Sequence, residues 1–446
     1  MSSQKFSPNT AMSVVIANMI GTGVFTSLGF QLLDIQSGFV LMMLWLVGGL
    51  TALCGALCYA ELGAALPRSG GEYNFLTEIY HPAAGYVSGW VSATIGFAAP
   101  TALAAITFGS YLSSVIPELS PTWLGCSLVV ALTLIHASNR RGSGGVQQIL
   151  TVLKVLLILG FCALSWLLVG EPQDVEFLPR ADDGALLTSG AFAVALIYVN
   201  YAYTGWNAAT YVTSELDDPQ KSLSRVLILG TATVMVLYVL LNFTFLHVAP
   251  MSAMAGKIEI GYVSAQYAFG DSGAAIMGVI LALLLISTVS AMVLAGPRVL
   301  QVIGEDFPAF RVLARTNRNG LPVIAILTQS LLSLVFILTA SFESILVFTG
   351  FTLGLNTFFS VLGVFILRWK QPELPRPYRT ALYPLPPLIF LAFTGWTLTY
   401  ILMQRPEEGL MGLGIVASGG VLYLLTVRFG GGRRAPQPGD RQAGSG

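Results

Sequence analysis

What most constrains this chain is the recurrence of apolar runs long enough to cross a lipid bilayer. A spanning α-helix needs about 20 mostly apolar residues. The sequence offers twelve such runs: 11–33, 39–60, 84–115, 121–138, 146–169, 187–214, 223–246, 273–302, 321–340, 344–367, 384–403 and 409–427. Hydrocarbon supplies no hydrogen-bond partners, so only helices and closed β-barrels cross it. Barrel strands alternate apolar and polar residues over about ten positions, whereas these runs are continuous. The chain therefore reads as an all-α membrane protein with twelve transmembrane helices. Composition agrees: 54% of the 446 residues are hydrophobic and 10% are charged, against about 25% charged in soluble domains. A net charge of zero leaves no basic patch for nucleic acid.

Lys and Arg collect on the cytoplasmic side of membrane proteins. With the N-terminus placed there, 18 of the 22 basic residues fall in cytoplasmic segments; Arg180, Lys257 and Arg405 fall opposite, and Lys154 lies inside a span. Both termini are thus expected in the cytoplasm of a multi-pass cell-membrane protein. The opening "MSSQKFSPNT" carries one lysine, and no small-residue cleavage site follows the first run, so that run reads as a retained span rather than a signal. Residues 429–446, rich in Gly, Pro and charge, read as a disordered tail, which leaves 1–428 as one transmembrane domain. Cys54, Cys58, Cys126 and Cys162 all lie in apolar runs and read as small buried hydrophobes, not as a disulfide framework or a zinc site. His81, His136 and His247 sit near span ends without a shared motif. No metal or cofactor is expected.

The first span contains "IANMIGTGVFTSLG", Ile16 to Gly29, with Gly21-Thr22-Gly23 at its middle. Alone, such glycines read as a close helix contact. Span 6 alters the balance. Within "FAVALIYVNYAYTGWNAATYVTSEL", Phe192 to Leu216, polar and aromatic residues cluster at Asn200, Tyr201, Tyr203, Thr204, Gly205, Trp206 and Asn207. Taking the first ten spans as two five-span halves, about 11–169 and 187–367, spans 1 and 6 occupy matching places. Interrupted helices at matching places of two inverted halves point to a transporter substrate site. Unwinding frees amides at one new helix end, which bind anions, and carbonyls at the other, which bind cations. A zwitterionic amino acid satisfies both without a charged side chain.

Lys154, in "ILTVLKVLLILG", is the lone basic residue inside a span. An ammonium in hydrocarbon costs several kcal/mol, so it should face the bundle interior. Snorkelling to the interface is the alternative, and a position roughly ten residues into the span argues against it.

Four motifs, "IGTGVF", "YAELGAALPRSGGEY" (Tyr59 to Tyr73), "YAYTGWN" (Tyr201 to Asn207) and "LRWKQPELPRPYRT" (Leu367 to Thr380), carry a resemblance to the amino acid–polyamine–organocation superfamily, and within it to the L-amino acid transporter family. The resemblance implies a five-plus-five inverted repeat (a LeuT-like fold) with helices 1 and 6 broken and spans 11 and 12 appended. It implies substrate contacts at Met19, Ile20, Gly21, Thr22, Gly23, Tyr201, Thr204 and Gly205. The carboxylate would rest on amides around Thr22 and Gly23. The ammonium would meet carbonyls of Met19, Tyr201 and Thr204, with Tyr201 as an aromatic gate. Lys154 would stand where sodium-coupled relatives hold sodium, with Ser287 or Ser290 as a hydroxyl partner. Sodium-independent movement of neutral L-amino acids follows, by exchange or, alternatively, by proton symport or export. Eukaryotic members pair with a glycoprotein through a cysteine between spans 3 and 4. This chain has "SSVIPELSPTWLG" there, so no disulfide-linked heavy subunit and a functional monomer are expected.

No charged residue is predicted at the pocket, which favours neutral substrates. Glu215, in "SELDDPQKSLSR", reads either as an ordinary charge on a solvated helix end or as an inner-gate partner of Arg68; Arg225 follows in the same stretch. A channel would need a lined pore, which the two-fold internal pattern does not favour. An intramembrane enzyme would need a catalytic set, and no HExxH, GxSxG or paired mid-span carboxylates occur.

Overall fold

The computed structural model describes residues 7–138, 144–216, 218–306, 310–317 and 320–429. The tail expected to be disordered lies almost wholly outside them. The described chain is helical, with no β-strand. In order, its α-helices are α1 (Pro8–Met19), α2 (Gly23–Gln31), α3 (Gly38–Ala65), α4 (Glu72–Ile79), α5 (Pro82–Val91), α6 (Ala98–Val115), α7 (Pro121–Ser138), α8 (Gly144–Leu168) and α9 (Asp183–Leu187). There follow α10 (Gly190–Tyr203), α11 (Pro219–Val248), α12 (Met251–Met254), α13 (Ile260–Asp306), α14 (Val323–Thr339), α15 (Phe342–Lys370), α16 (Leu385–Gln404) and α17 (Pro406–Phe429). Among the described residues ten helical stretches are long and apolar enough to cross a membrane. Two shorter apolar helices, Gly190–Tyr203 and Val323–Thr339, fall where spans 6 and 9 are expected.

Local chemistry sets several helix starts. The hydroxyls of Ser7, Ser37, Ser189 and Ser341 cap α1, α3, α10 and α15 by accepting an amide three residues on, which satisfies one otherwise orphaned donor at each start. Pro8 follows Ser7 at the first helical position, where its missing N–H costs nothing. These signals start α1 three residues before the apolar run does. The outer faces remain apolar: Leu167 is 79% exposed and Leu424 66%. Leucines on an outer face suit hydrocarbon, not water. The interior is aromatic, with Trp45, Tyr203 and Tyr238 meeting ring to ring at 5.0–6.1 Å.

Three departures from the predicted spans bear on the site. Span 3 is interrupted by a π-helical turn at Ser92–Gly96 between α5 and α6, a device often found at functional sites. Span 8 begins at Ile260 rather than residue 273, with the helix kinked at Gly270 (φ +72°). The stretch after α3 is not a plain loop, because α4 folds there.

Two of the quoted motifs meet at one end of the bundle. Glu61 of α3 receives Nε and Nη2 of Arg368 in α15 at 2.8 and 2.7 Å, and the amide of Thr380 at 2.7 Å. Arg376 stands 3.6 Å from the same carboxylate while its guanidinium also bonds the carbonyls of Leu367 and Gln371 at the end of α15. "YAELGAAL" and "LRWKQPELPRPYRT" are thus two halves of one buried ionic clasp.

Candidate functional site

The first span breaks where Gly21-Thr22-Gly23 predicts. α1 ends at Met19, α2 begins at Gly23, and Ile20 to Thr22 between them are not helical. The Gly21 amide turns back to the Met19 carbonyl at 2.8 Å. The first amides of a helix have no intrahelical acceptor; the Phe25 amide turns to the Thr22 carbonyl at 3.0 Å, and those of Gly23 and Val24 at the start of α2 stay available to an anion. The two glycines serve different ends. A Cβ on Gly23 would lie 2.4 Å from the Ala202 Cα, so Gly23 lets α2 pack directly on α10. A Cβ on Gly21 would find nothing nearer than 3.9 Å. Packing therefore accounts for the second glycine and not for the first.

Span 6 breaks beside it. α10 ends at Tyr203, Gly205 takes φ +106°, and a 3-10 helix, Ala208–Glu215, continues the path. Gly205 passes so close to α1 that an added Cβ would meet the Asn18 carbonyl carbon at 2.8 Å. Positive φ and this contact both demand glycine. The Thr204 amide bonds the Tyr201 carbonyl at 2.9 Å, and the Thr204 hydroxyl bonds the Asn200 carbonyl at 3.2 Å.

Between the two breaks lies a cavity of about 200 Å³, lined by Met19, Gly21, Thr22, Gly23, Tyr201, Thr204 and Gly205 among others. Seven of the eight expected substrate residues line this cavity. The eighth, Ile20, gives its carbonyl elsewhere, to the Lys154 Nζ at 3.0 Å. Ser92, Gly96 and Phe97, at the π-helical turn, also line it.

Lys154 is 5% exposed and does not snorkel. Its ammonium donates to Ile20 and to the Thr288 hydroxyl of α13 at 3.1 Å. The partner hydroxyl is neither Ser287 nor Ser290. Thr288 lies between them and is the one turned inward, while Ser290 pairs with His136 Nε2 at 2.8 Å. A hydrophobic helix shows no polar stripe in sequence strong enough to separate adjacent hydroxyls.

Other expectations change. The Met19 carbonyl, expected to face an ammonium, already accepts from Gly21 and from the Tyr238 hydroxyl of α11, which fills its two lone pairs. Tyr238 also reaches the Ala202 carbonyl at 3.2 Å, so one phenol spans the ends of both half-helices. The pocket is not free of charge: Glu72 lines it. That glutamate follows two glycines in a turn, so it reads in sequence as a loop residue, and only the fold brings it inward. Arg68 is exposed, and among the described residues it pairs with no carboxylate. The Glu215 side chain lies outside the described residues. Among the described residues no group of His, Cys, Asp or Glu could hold a metal ion.

Comparison with known proteins decides the family. The amino acid permease family profile matches residues 6–420. The chain belongs to the amino acid permease family. Within it the L-amino acid transporters are its relatives. It is 30% identical to the large neutral amino acids transporter small subunit 2 of Mus musculus over 440 residues, 94% of this chain and 80% of that one. It is 27% identical to the Asc-type amino acid transporter 1 of Mus musculus over 432 residues, covering 94% and 80%. It is 25% identical to the b(0,+)-type amino acid transporter 1 of Homo sapiens over 442 residues, covering 96% and 89%. This permease is a transport protein rather than an enzyme.

Proposed function

We propose that this permease is a sodium-independent exchanger of neutral L-amino acids, working by alternating access as a monomer with twelve spans, a five-plus-five inverted repeat and both termini in the cytoplasm. The observation that carries this reading is the pair of facing breaks around one cavity, with the Lys154 ammonium fixed on the carbonyl of the first break. The amides opening α2 suit the carboxylate of an amino acid, and the unwound carbonyls at Tyr201 and Thr204 suit its ammonium. Lys154 supplies a tethered positive charge between the first break and α13, the place a bound sodium ion would otherwise take. Tyr201, 8% exposed at the cavity wall, is the aromatic side chain positioned to gate it. The names of the relatives specify amino acid transport, and one of them large neutral substrates.

The reading of a lone chain without a disulfide-linked partner rests on cysteine position. Cys54, Cys58, Cys126 and Cys162 are all buried, so none is presented for a bridge. Names such as "small subunit" describe relatives that work beside another chain, and co-purification under non-reducing conditions separates the two cases.

Exchange and proton symport differ in what must be present inside a vesicle. Proteoliposomes preloaded with leucine are expected to take up labelled leucine, and empty ones are not. Accumulation by empty vesicles driven by an inward proton gradient would replace exchange with symport. Absence of saturable uptake of any amino acid in either case would end the transport reading.

A further inference from the structure

Glu72 opens α4 and is 2% exposed, yet its side chain lines the cavity. Of the residues lining that cavity it alone carries a charge. Three neutral donors hold its carboxylate. The Tyr59 hydroxyl at 2.9 Å and the Asn207 amide at 2.5 Å donate to Oε1, and the Tyr211 hydroxyl at 2.6 Å donates to Oε2. Phenols and amides solvate a carboxylate without cancelling its charge. The ion pairs among the described residues use Glu61, Glu176 and Glu343, not Glu72.

An ionised carboxylate accepts hydrogen bonds at about four lone-pair positions. With two donors on Oε1 and one on Oε2, the open position is on Oε2. A buried charge without an opposite charge is costly, and an ionisable residue inside a membrane protein reads by default as a functional site, counter-ions to ligands among its uses. Asn207 lies three residues beyond Thr204, so the carboxylate adjoins the break of span 6. Tyr211, the donor on Oε2, is 36% exposed. Gly71 fixes this arrangement: its amide bonds the Thr210 carbonyl at 3.3 Å, and a Cβ there would strike the Tyr211 ring at 2.7 Å.

We propose that the open Oε2 position of Glu72 is a subsite for a protonated primary amine carried by a solute in the cavity. Two sources share that chemistry: the α-ammonium of any amino acid on its way to or from the breaks, and the side-chain ammonium of a diamino acid. The proposal rests on the transport reading for how the solute arrives, but binding tests it without transport.

The test uses the full chain in lipid nanodiscs, titrated calorimetrically with n-butylamine, leucine and 2,4-diaminobutyrate. Glu72→Gln keeps the shape and removes the charge. It is expected to weaken butylamine about tenfold, the scale of one charge-assisted hydrogen bond, while Glu72→Asp retains most of the amine affinity. Diaminobutyrate weakened in step with butylamine while leucine is unchanged assigns the subsite to a side-chain ammonium; leucine and diaminobutyrate both weakened in step with butylamine assigns it to the α-ammonium. Tyr211→Phe, which leaves Oε2 more open, serves even where the glutamine variant fails to fold, and is expected to bind butylamine at least as tightly as the unaltered chain. Equal butylamine affinity with and without the Glu72 charge, a loss in Tyr211→Phe, or no butylamine binding at all would overturn the proposal. Leucine failing to bind the unaltered chain would count instead against the transport reading.

Discussion

At the scale of single residues, the account turns on Lys154. Its ammonium is buried and held by one carbonyl and one hydroxyl, so removing it strips a charge-assisted donor from the strand that forms the first break. Hydrogen bonds to charged groups contribute about 1.5–3 kcal/mol. Lys154→Ala should therefore slow leucine exchange by about tenfold or more, measured as the initial rate in proteoliposomes with matched protein content. An unchanged rate would remove Lys154 from the mechanism. This lysine was legible in the sequence because a lone charge inside an apolar run has few uses. Thr288, Tyr238 and Glu72 were not. Hydroxyls are common in spanning helices, and nothing in a linear pattern tells which one turns toward a break fifty or two hundred residues away.

At the scale of elements, the proposed mechanism centres on the two broken spans, and the contact between them is unusually close. Gly23 packs against the Ala202 backbone, and Gly21 does not pack at all. The two glycines of one motif should then respond differently. Gly23→Ala forces α2 off α10, and overpacking of this kind costs about 1–3 kcal/mol. It is expected to lower the apparent melting temperature in detergent by several degrees, whereas Gly21→Ala leaves it near the original value. Equal shifts for both would contradict the division of roles. The breaks themselves were visible in sequence, since Gly-Thr-Gly and Tyr-Thr-Gly-Trp interrupt runs that are otherwise apolar. Their lengths were not, because a 3-10 helix after Asn207 and a π-helical turn at Ser92–Gly96 leave no compositional mark.

The clasp at Glu61 is the second element-scale device. It joins α3 to α15 and to the segment ending at Thr380, with the Glu61 side chain 1% exposed and the Arg376 side chain 5% exposed. Removing one partner of a buried pair leaves the other uncompensated, at about 3–5 kcal/mol. Glu61→Ala is expected to lower stability by that order, read as early thermal aggregation of the purified protein, with the clasp's motifs losing their shared anchor. Stability equal to the unaltered chain would show that the clasp is incidental. Each motif was conspicuous in sequence, but their meeting across some three hundred residues is a property of the fold.

At the scale of the whole molecule, the apolar outer surface, the interior aromatic cluster and the cavity between two breaks describe a permease with its cavity at two helix interruptions. In the proposed reading, carbonyls and amides recognise what all amino acids share, and the side chains at Tyr201, Thr204 and Glu72 are left to distinguish among them. In that proposed reading Lys154 takes the role of a coupling ion that is part of the chain. Sodium replacement in preloaded proteoliposomes tests that claim most directly. With leucine inside and labelled leucine outside, the account predicts the same initial exchange rate when all sodium is replaced by choline on both sides of the membrane. Collapse of exchange without sodium, restored by adding it back, would contradict it.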